Sequence, residues 1–413
     1  MNLKKIIRTK AMPSFCTCNI FVLKSLLNFC KKKKLPVLIE TTSNQVNQYG
    51  GYSEKKPKEF IMGMNNLANK VKFNKKKIFY GGDHLGPLPW KTSASSVALK
   101  KSIELVNTYI AAKYQKIHID TSIECNGDKI LTNKEVFLRT KHILEKLRNK
   151  KVLKKTFLVF GTEVPLAGGN NNKKIKSTIF KKIIDEYNNF SKLLKFENLP
   201  IKNFGLVIEP GMRFMHKNVT KPDLKNFKLK KLFSEKNNFF YEAHSTDYQN
   251  FITLRNLVKN NFKILKVGPE LTFNLLKSFL FMEKLEKNIS SEKSNFEKTI
   301  LDQMFTSDQY WKNYFNNTSK KDIKKKIINS YYDRTRYYLN NKKVLNSIKV
   351  LESNINKIDN KQIIKLLTKK KKLYAIKYYN YKNFDLIISN YLNKIFIKYY
   401  KACGFNFSNN FFY

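Results

Sequence analysis

An aspartate and a histidine stand side by side near residue 80, directly after an apolar run. Asp83 and His84 follow Ile78–Tyr80 and two glycines, and two prolines end regular structure soon after them. Glycines let a backbone approach a ligand closely, and a carboxylate beside an imidazole can bind a metal or move a proton. The same pair could instead be a buried, hydrogen-bonded turn, so this segment alone leaves both interpretations open.

Polar residues also lie at the ends of six other predicted strands. They are Glu40, Asn44 and Gln45 after the second strand, His118 and Asp120 on the fourth, Glu163 after the fifth, Glu209 after the sixth, Glu242, His244 and Asp247 on and after the seventh, and Lys266 on the eighth. Alternation along a strand places His118 on one face with Asp120, and Glu242 on one face with His244. Asp247 is also a plausible N-cap of the helix that follows it.

Converging carboxylates and imidazoles suit a divalent metal such as zinc. We predict His84, Glu163 and His244 as its ligands. The predicted catalytic residues are Asp83, His84 and Asp120, with Asp83 as an acid or base. The predicted substrate-binding residues are Glu40, Asn44, Gln45, Lys266 and Asp247.

Lys266 admits three interpretations from its type and position. It could form a Schiff base, contact a phosphate, or pair with Glu209. The turn at residues 268–272 opens a predicted helix and could hold phosphate on its backbone N–H groups. No P-loop pattern accompanies this turn, so the signal is weak.

Eight short apolar runs alternate with helical patterns in the first 290 residues. The runs cover residues 14–18, 36–41, 78–84, 116–121, 156–164, 203–209, 239–245 and 263–268, and the helical patterns cover 21–31, 57–71, 94–112, 133–149, 177–195, 221–233, 247–260 and 271–287. Such alternation predicts a parallel sheet, and eight units predict an α/β fold of the (β/α)8 TIM-barrel type, with its chemistry at the carboxyl ends of the strands. A doubly wound open sheet is the alternative, but no Gly-x-Gly-x-x-Gly follows the first strand.

The last part of the chain has a different pattern. Residues 361–367 and 384–398 read as helices, and no convincing strand follows residue 290. We therefore predict a barrel over residues 1–290 and a helical C-terminal extension over residues 291–413, packed on the barrel.

The chain is strongly basic, with 80 Lys and Arg against 31 Asp and Glu and a net charge of +49. Such a charge can indicate a polyanion partner. The lysines, however, are spread over nearly every predicted helix and accompany many Asn, Ile, Phe and Tyr, which share AT-rich codons. We therefore attribute the charge to composition and do not expect nucleic acid as a partner.

Composition also bears on the compartment. Five scattered cysteines do not make a disulfide framework. No apolar run reaches the roughly 18–20 residues that span a bilayer, and the basic N-terminus lacks the apolar stretch and cleavage site of a signal peptide. We predict a cytoplasmic protein with no membrane contact.

Six motifs, in order along the chain, carry a family resemblance. They cover residues 39–52 (IETTSNQVNQYGGY), 81–87 (GGDHLGP), 116–120 (KIHID), 161–165 (GTEVP), 241–249 (YEAHSTDYQ) and 265–273 (LKVGPELTF). The chain resembles the Z-type, GatZ/KbaZ subunit of class II D-tagatose-1,6-bisphosphate aldolase from residue 16 to residue 404. The resemblance includes Gln309–Trp311 and Asp333–Tyr338 in the C-terminal part.

The resemblance implies a barrel with a helical C-terminal part and a non-catalytic role. The Z subunit is needed for full activity and stability of a separate Y-type subunit. That partner is the zinc-dependent aldolase that splits tagatose 1,6-bisphosphate into glycerone phosphate and glyceraldehyde 3-phosphate. The family is also similar to metal-dependent ketose-phosphate 4-epimerases, which interconvert tagatose 6-phosphate and fructose 6-phosphate. A sugar phosphate is therefore the expected small-molecule ligand.

Overall fold

Eight strands close into a parallel barrel in the part of the chain that the structure describes. The computed structural model describes residues 2–161, 177–202, 204–225, 227–287, 289–315, 319–369 and 382–407. The barrel strands are β1 (Met12–Cys16), β2 (Val37–Thr42), β3 (Ile78–Leu85), β4 (Lys116–Ile119), β5 (Phe157–Phe160), β6 (Gly205–Val207), β9 (Phe240–Ala243) and β10 (Phe262–Val267). Hydrogen-bonded neighbours follow this order, and β10 pairs with β1 to close the ring. The predicted (β/α)8 barrel is confirmed.

Helices follow the barrel strands and continue through the C-terminal part. They are α1 (Leu3–Thr9), α2 (Ile20–Lys33), α3 (Pro57–Lys70), α4 (Ser95–Ala111), α5 (Asn133–Glu145), α6 (Lys150–Lys155), α7 (Phe180–Phe196), α8 (Phe227–Lys236), α9 (Phe251–Lys259), α10 (Pro269–Glu286), α11 (Phe296–Thr306), α12 (Lys320–Asn329), α13 (Lys342–Asn356), α14 (Asn360–Lys369) and α15 (Asn383–Ala402). The short 3-10 helices that matter below are Lys312–Tyr314 and Arg334–Tyr337.

Local sequence signals explain several of these helix starts. The Asn19 side chain accepts hydrogen bonds from the first turn of α2. Thr132 and Glu135 form a reciprocal capping box at the start of α5, which satisfies two backbone donors that the helix itself leaves unpaired. Pro57 stands at the first position of α3, where its missing N–H costs nothing.

One predicted helix begins later than expected. The pattern over residues 221–233 predicted a helix, but α8 spans Phe227–Lys236. A small antiparallel hairpin of β7 (Arg213–Phe214) and β8 (Val219–Thr220) precedes it. Pro222 disfavours helical backbone at the residue before it, which is consistent with the extended chain between the hairpin and α8.

The C-terminal helix α15 lies directly on the barrel. It packs against α2, α9 and α10 and contacts β1. The Tyr399 hydroxyl donates to the Thr246 carbonyl at 2.8 Å, and the Tyr400 hydroxyl donates to the Pro36 carbonyl at 2.6 Å. The predicted helical character and packing of this part are thus observed, while the division at residue 290 stays a prediction.

Membrane spanning can be assessed for the described helices. Each is too short or too polar to cross a bilayer.

Candidate functional site

A buried charged layer lies inside the barrel below the predicted site. The Lys116 ammonium donates to Glu40 at 2.9 Å and to Glu242 at 2.9 Å, and all three side chains are almost fully buried. Burial disfavours the charged ammonium, but the carboxylates of Glu242 and Glu40 raise the pKa of Lys116 above its ordinary value. Lys116 therefore holds the two carboxylates together in the barrel interior.

A glycine makes room for this layer. A side chain at Gly81 would place its Cβ 2.6 Å from the Glu40 Cγ atom, well inside contact distance. The next residue, Gly82, similarly leaves space for the Tyr109 ring, at 2.5 Å from an added Cβ. The Gly81-Gly82 pair that precedes Asp83 is thus explained by two close side-chain approaches.

Asp83 is the centre of the next layer. Its Oδ1 lies 3.0 Å from His118 Nδ1 and 4.0 Å from His244 Nε2, and its Oδ2 lies 3.5 Å from His84 Nε2. The Lys266 ammonium also pairs with Oδ2. Burial opposes the ionised form, but His84, Lys266 and the hydrogen bond to His118 hold the pKa of Asp83 well below its usual range.

His84 and Asp120 stand above this carboxylate, where β3 and β4 end. His84 Nδ1 lies 2.7 Å from Asp120 Oδ2, and the Ser122 hydroxyl donates to Asp120 Oδ1 at 2.6 Å. The backbone of His84 has φ of 48°, an uncommon left-handed conformation for a residue with a side chain. Burial lowers the pKa of His84, which favours the neutral imidazole.

His244 is held in the same way by a different carboxylate. Its Nε2 lies 2.7 Å from Glu242 Oε1, as the predicted shared face requires, and its Nδ1 lies 3.5 Å from the Lys266 ammonium. Burial, followed by the charge of Lys266, lowers the pKa of His244 well below its ordinary value.

This donor set fits a divalent metal. Asp83, His84, His118 and His244 can each offer one ligand atom, and these four atoms lie within 4.8 Å of one another. Asp120 binds Nδ1 of His84 and Glu242 binds Nε2 of His244, and a carboxylate on one ring nitrogen orients an imidazole that binds a metal through the other. For His244 that other nitrogen faces the Lys266 ammonium. The lowered pKa values of His84 and His244 favour neutral imidazoles and that of Asp83 favours the ionised carboxylate, which are the protonation states that a metal needs.

The residues that could bind a metal differ in part from the predicted ligands. His84 and His244 are brought together as predicted, and His118 and Asp83 join them. Glu163, the third predicted ligand, lies outside the described residues. His118 lies on the strand next to that of Asp83 and points into the barrel. The sequence signal that could have identified it was that it shares a strand face with Asp120.

The predicted substrate-binding residues fall into two groups. Asn44, Gln45, Lys266 and Asp247 line a cavity of about 700 Å³ at the barrel mouth, together with His84, Asp120 and His244. Glu40 lies below it in the charged layer. A substrate contact at any of these positions remains a prediction.

Lys266 and Asp247, two of the predicted substrate-binding residues, have defined structural partners. Lys266 pairs with Asp83, whereas the Glu209 carboxylate accepts from the backbone N–H groups of Gly211 and Met212. Of the three interpretations of Lys266, the pair with Glu209 is therefore not observed between these two residues. Asp247 does not cap its own helix, whose N-cap is Asn250.

Asp247 instead caps α10, the helix after the eighth barrel strand. Its Oδ1 accepts from the N–H groups of Gly268 at 2.9 Å and Glu270 at 2.8 Å. The phosphate site suggested for residues 268–272 would need these same donors, which Asp247 already occupies.

The far wall of the cavity comes from the C-terminal part of the chain. Its residues are Gln309, Tyr310, Tyr314, Arg334, Arg336, Tyr337 and Asn340. None was predicted as a site residue, because nothing in local periodicity connects them to the strand ends. The only signal was the presence of Gln309, Tyr310, Arg334, Arg336 and Tyr337 in the motifs that carry the family resemblance, and Tyr314 and Asn340 lie outside those motifs.

Comparisons with known proteins agree with this architecture. A family model described as D-tagatose-1,6-bisphosphate aldolase subunit GatZ/KbaZ-like matches residues 1–404. The chain is 34% identical over 358 residues to D-tagatose-1,6-bisphosphate aldolase subunit GatZ of Escherichia coli strain SMS-3-5 / SECEC, covering 84% of this chain and 85% of that protein. The subunit of strain O7:K1 IAI39 / ExPEC has the same identity and coverage.

A solved structure is similar over nearly the whole chain. It is described as a probable tagatose 6 phosphate kinase from Sinorhizobium meliloti 1021, and it superposes with a TM-score of 0.81 at 26% sequence identity. The superposition covers 95% of this chain and 100% of that chain. Since the family model and the GatZ sequences both match most of its length, the chain belongs to the GatZ/KbaZ-like family of D-tagatose-1,6-bisphosphate aldolase subunits.

Proposed function

We propose that this chain is the accessory subunit of a tagatose-bisphosphate aldolase, acting in the cytoplasm beside a catalytic Y-type subunit. The observation that carries the proposal is its 34% identity, over 84% of its length, to proteins named as subunits of that enzyme. A protein that binds only the folded form of a partner stabilises that partner by mass action. The accessory subunit would therefore raise the activity and lifetime of the aldolase without performing the cleavage.

Co-expression with a Y-type subunit tests this role. We expect the aldolase to have higher specific activity and a longer half-life at growth temperature with this chain than without it. The variant His244→Asn is a useful second arm, because support of the partner should survive a change in the histidine cluster. Equal aldolase activity and half-life with and without the chain would contradict the accessory role.

A second function is supported by the site itself, a metal-dependent ketose-phosphate 4-epimerase. Three imidazoles and Asp83 offer ligand atoms within 4.8 Å of one another beside a cavity large enough for a sugar phosphate. A divalent ion such as zinc, when bound, would polarise a carbonyl or hydroxyl oxygen of the ketose. In this function Asp83 would be a metal ligand, and Asp120, which lines the cavity, would hold or move a proton at that oxygen.

Metal analysis and an epimerase assay test this second function. We expect the purified chain to contain a divalent metal in near-stoichiometric amount and to convert tagatose 6-phosphate to fructose 6-phosphate. Chelation should abolish the conversion, and both His84→Asn and His244→Asn should lower metal content. A chain with no metal and no turnover, before and after incubation with zinc, would remove this function.

A further inference from the structure

Two arginines of the C-terminal part face the same cavity as the histidine cluster. Arg334 and Arg336 lie in the short 3-10 helix Arg334–Tyr337 and line the cavity together with Lys266 from the barrel and Lys91 from the segment after β3. The two arginines are separated from the strand-end residues by long stretches of sequence. Their place in the cavity wall is therefore a property of the fold.

Arg334 is fixed in position by aromatic side chains and one carbonyl. Its Nε donates to the Tyr310 carbonyl at 2.6 Å. Its guanidinium lies 3.9 Å from the centre of the Tyr314 ring and 4.7 Å from that of Tyr337. Only 6% of the residue is exposed to solvent. Stacking of this kind leaves the in-plane N–H groups at the edge of the guanidinium available to a ligand.

Arg336 is anchored mainly by backbone carbonyls of the residues that precede it. One terminal nitrogen donates to the carbonyls of Tyr332 and Asp333, each at 2.7 Å, and the other donates to the Tyr337 hydroxyl at 3.0 Å. Burial would raise the pKa of Tyr337, but the guanidinium groups of Arg336 and Arg334 lower it below its ordinary value. Both guanidinium groups lie over the Tyr337 ring, at 4.7 Å and 4.6 Å from its centre, so positive charge is concentrated at this part of the cavity wall.

The two guanidinium groups have no ion-pair partner in the described part of the chain. No carboxylate there lies within 4.0 Å of either one. The neighbouring Asp333 carboxylate accepts from the hydroxyl groups of Thr272 and Thr335, and its charge acts on both guanidinium groups from beyond that distance. A buried cation without a counter-charge is costly, and cation–π contact offsets only part of that cost. Asp333 supplies one negative charge beside the two cations, so a bound anion would balance the second.

The shape of the anion follows from the donors. Arginine presents parallel N–H groups that match the oxygens of a phosphate. The other possible phosphate site at this mouth, the start of α10, is already occupied by the Asp247 carboxylate. The same cavity is lined by the imidazoles of His84 and His244 and by the Asp120 carboxylate, which suit the hydroxyl and carbonyl groups of a sugar.

We propose that Arg334 and Arg336 form the phosphate subsite for a phosphorylated ketose, with the sugar chain directed toward Asp83, His84 and His244. This assignment rests on the proposed role of the cavity in sugar-phosphate chemistry, and it names the residues that recognise the phosphate. The C-terminal part then completes a binding site whose other half is built by the barrel strands.

Calorimetric titration of the full chain tests the subsite, with tagatose 6-phosphate, tagatose and inorganic phosphate as probes. We expect Arg334→Gln and Arg336→Gln each to weaken tagatose 6-phosphate and inorganic phosphate by roughly tenfold or more and to leave binding of tagatose unchanged. Arg255→Gln is the matched control, because Arg255 lies on α9 and donates to the Ala402 carbonyl away from the cavity. It should bind all probes as the unaltered chain does.

The outcomes separate the subsite from the wider function. Folded Arg→Gln variants that bind tagatose 6-phosphate within twofold of the unaltered chain would overturn the subsite and leave sugar-phosphate binding intact. An unaltered chain that binds neither phosphate probe would also overturn it. Arginine-dependent phosphate binding without epimerase turnover would support the subsite and count against the second function. If the Gln variants fail to fold, Arg334→Lys and Arg336→Lys keep the charge, and undiminished affinity in both would refute bidentate recognition.

Discussion

Asp247 caps α10 and is itself a buried carboxyl group. It accepts two backbone hydrogen bonds at the start of α10 and is 2% exposed. Burial is the main cause that raises its pKa to about 7, and the charge of Glu270 adds to the rise despite the hydrogen bonds. The folded state therefore binds a proton that the unfolded chain releases near pH 4. The stability contributed by this proton is complete below the unfolded pKa and is lost as the pH rises through 7.

Asp247→Asn should remove this pH dependence, because the amide keeps an oxygen acceptor for both N–H groups and does not titrate. Between pH 5 and pH 8 the unaltered chain should lose about 2–3 kcal/mol more unfolding free energy than the variant. Denaturant unfolding at both pH values measures the difference. Asp247→Ala, which deletes the acceptor, should be less stable than Asp247→Asn at both. Equal pH slopes in the unaltered chain and in Asp247→Asn would contradict the buried-carboxyl explanation.

At the level of elements, the strands were predictable because each is a short apolar run bounded by a polar end. The run at residues 78–84 is the strand Ile78–Leu85, and that at 263–268 is Phe262–Val267. Parallel strands in a barrel bring their carboxyl ends together, so Asp83, His84 and His244 could be grouped before the structure was known. Alternation alone would place Asp83 and His84 on opposite faces, but both reach the cluster because His84 has a left-handed backbone where the β3–β4 register shifts.

The same pattern could not predict how deep a side chain lies in the barrel, or which residues distant in sequence reach the cavity. Alternation places Glu40 inside the barrel, but only the fold shows that Lys116 pairs with it one layer below the cavity. Arg334 and Arg336 reach the site through packing of segments more than 60 residues past α10's start, which local periodicity does not encode. The hairpin before α8 was missed because its strands have two residues each, too few for a period to register.

At the level of the whole molecule, α15 completes the helical layer of the barrel. It packs against α2, α9 and α10 and contacts β1. The ring of Phe396 meets that of Phe15 edge-on at 5.5 Å, and Tyr400 lies 5.7 Å from Phe15. These side chains cover the seam where β10 and β1 close the barrel. A chain ending at residue 290 would expose that seam, so we expect the barrel to depend on its C-terminal part.

Two changes measure this dependence. Phe396→Ala should cost about 3–5 kcal/mol of unfolding free energy, because it opens a cavity against the fully buried Phe15. Phe251→Ala is the matched control, because Phe251 lies on α9 and is 44% exposed, and it should cost less than about 1 kcal/mol. A fragment of residues 1–290 should lack cooperative denaturant unfolding and a native near-UV circular dichroism spectrum. A fragment that unfolds cooperatively would instead make residue 290 a true domain boundary, with α15 as an addition to an already stable barrel.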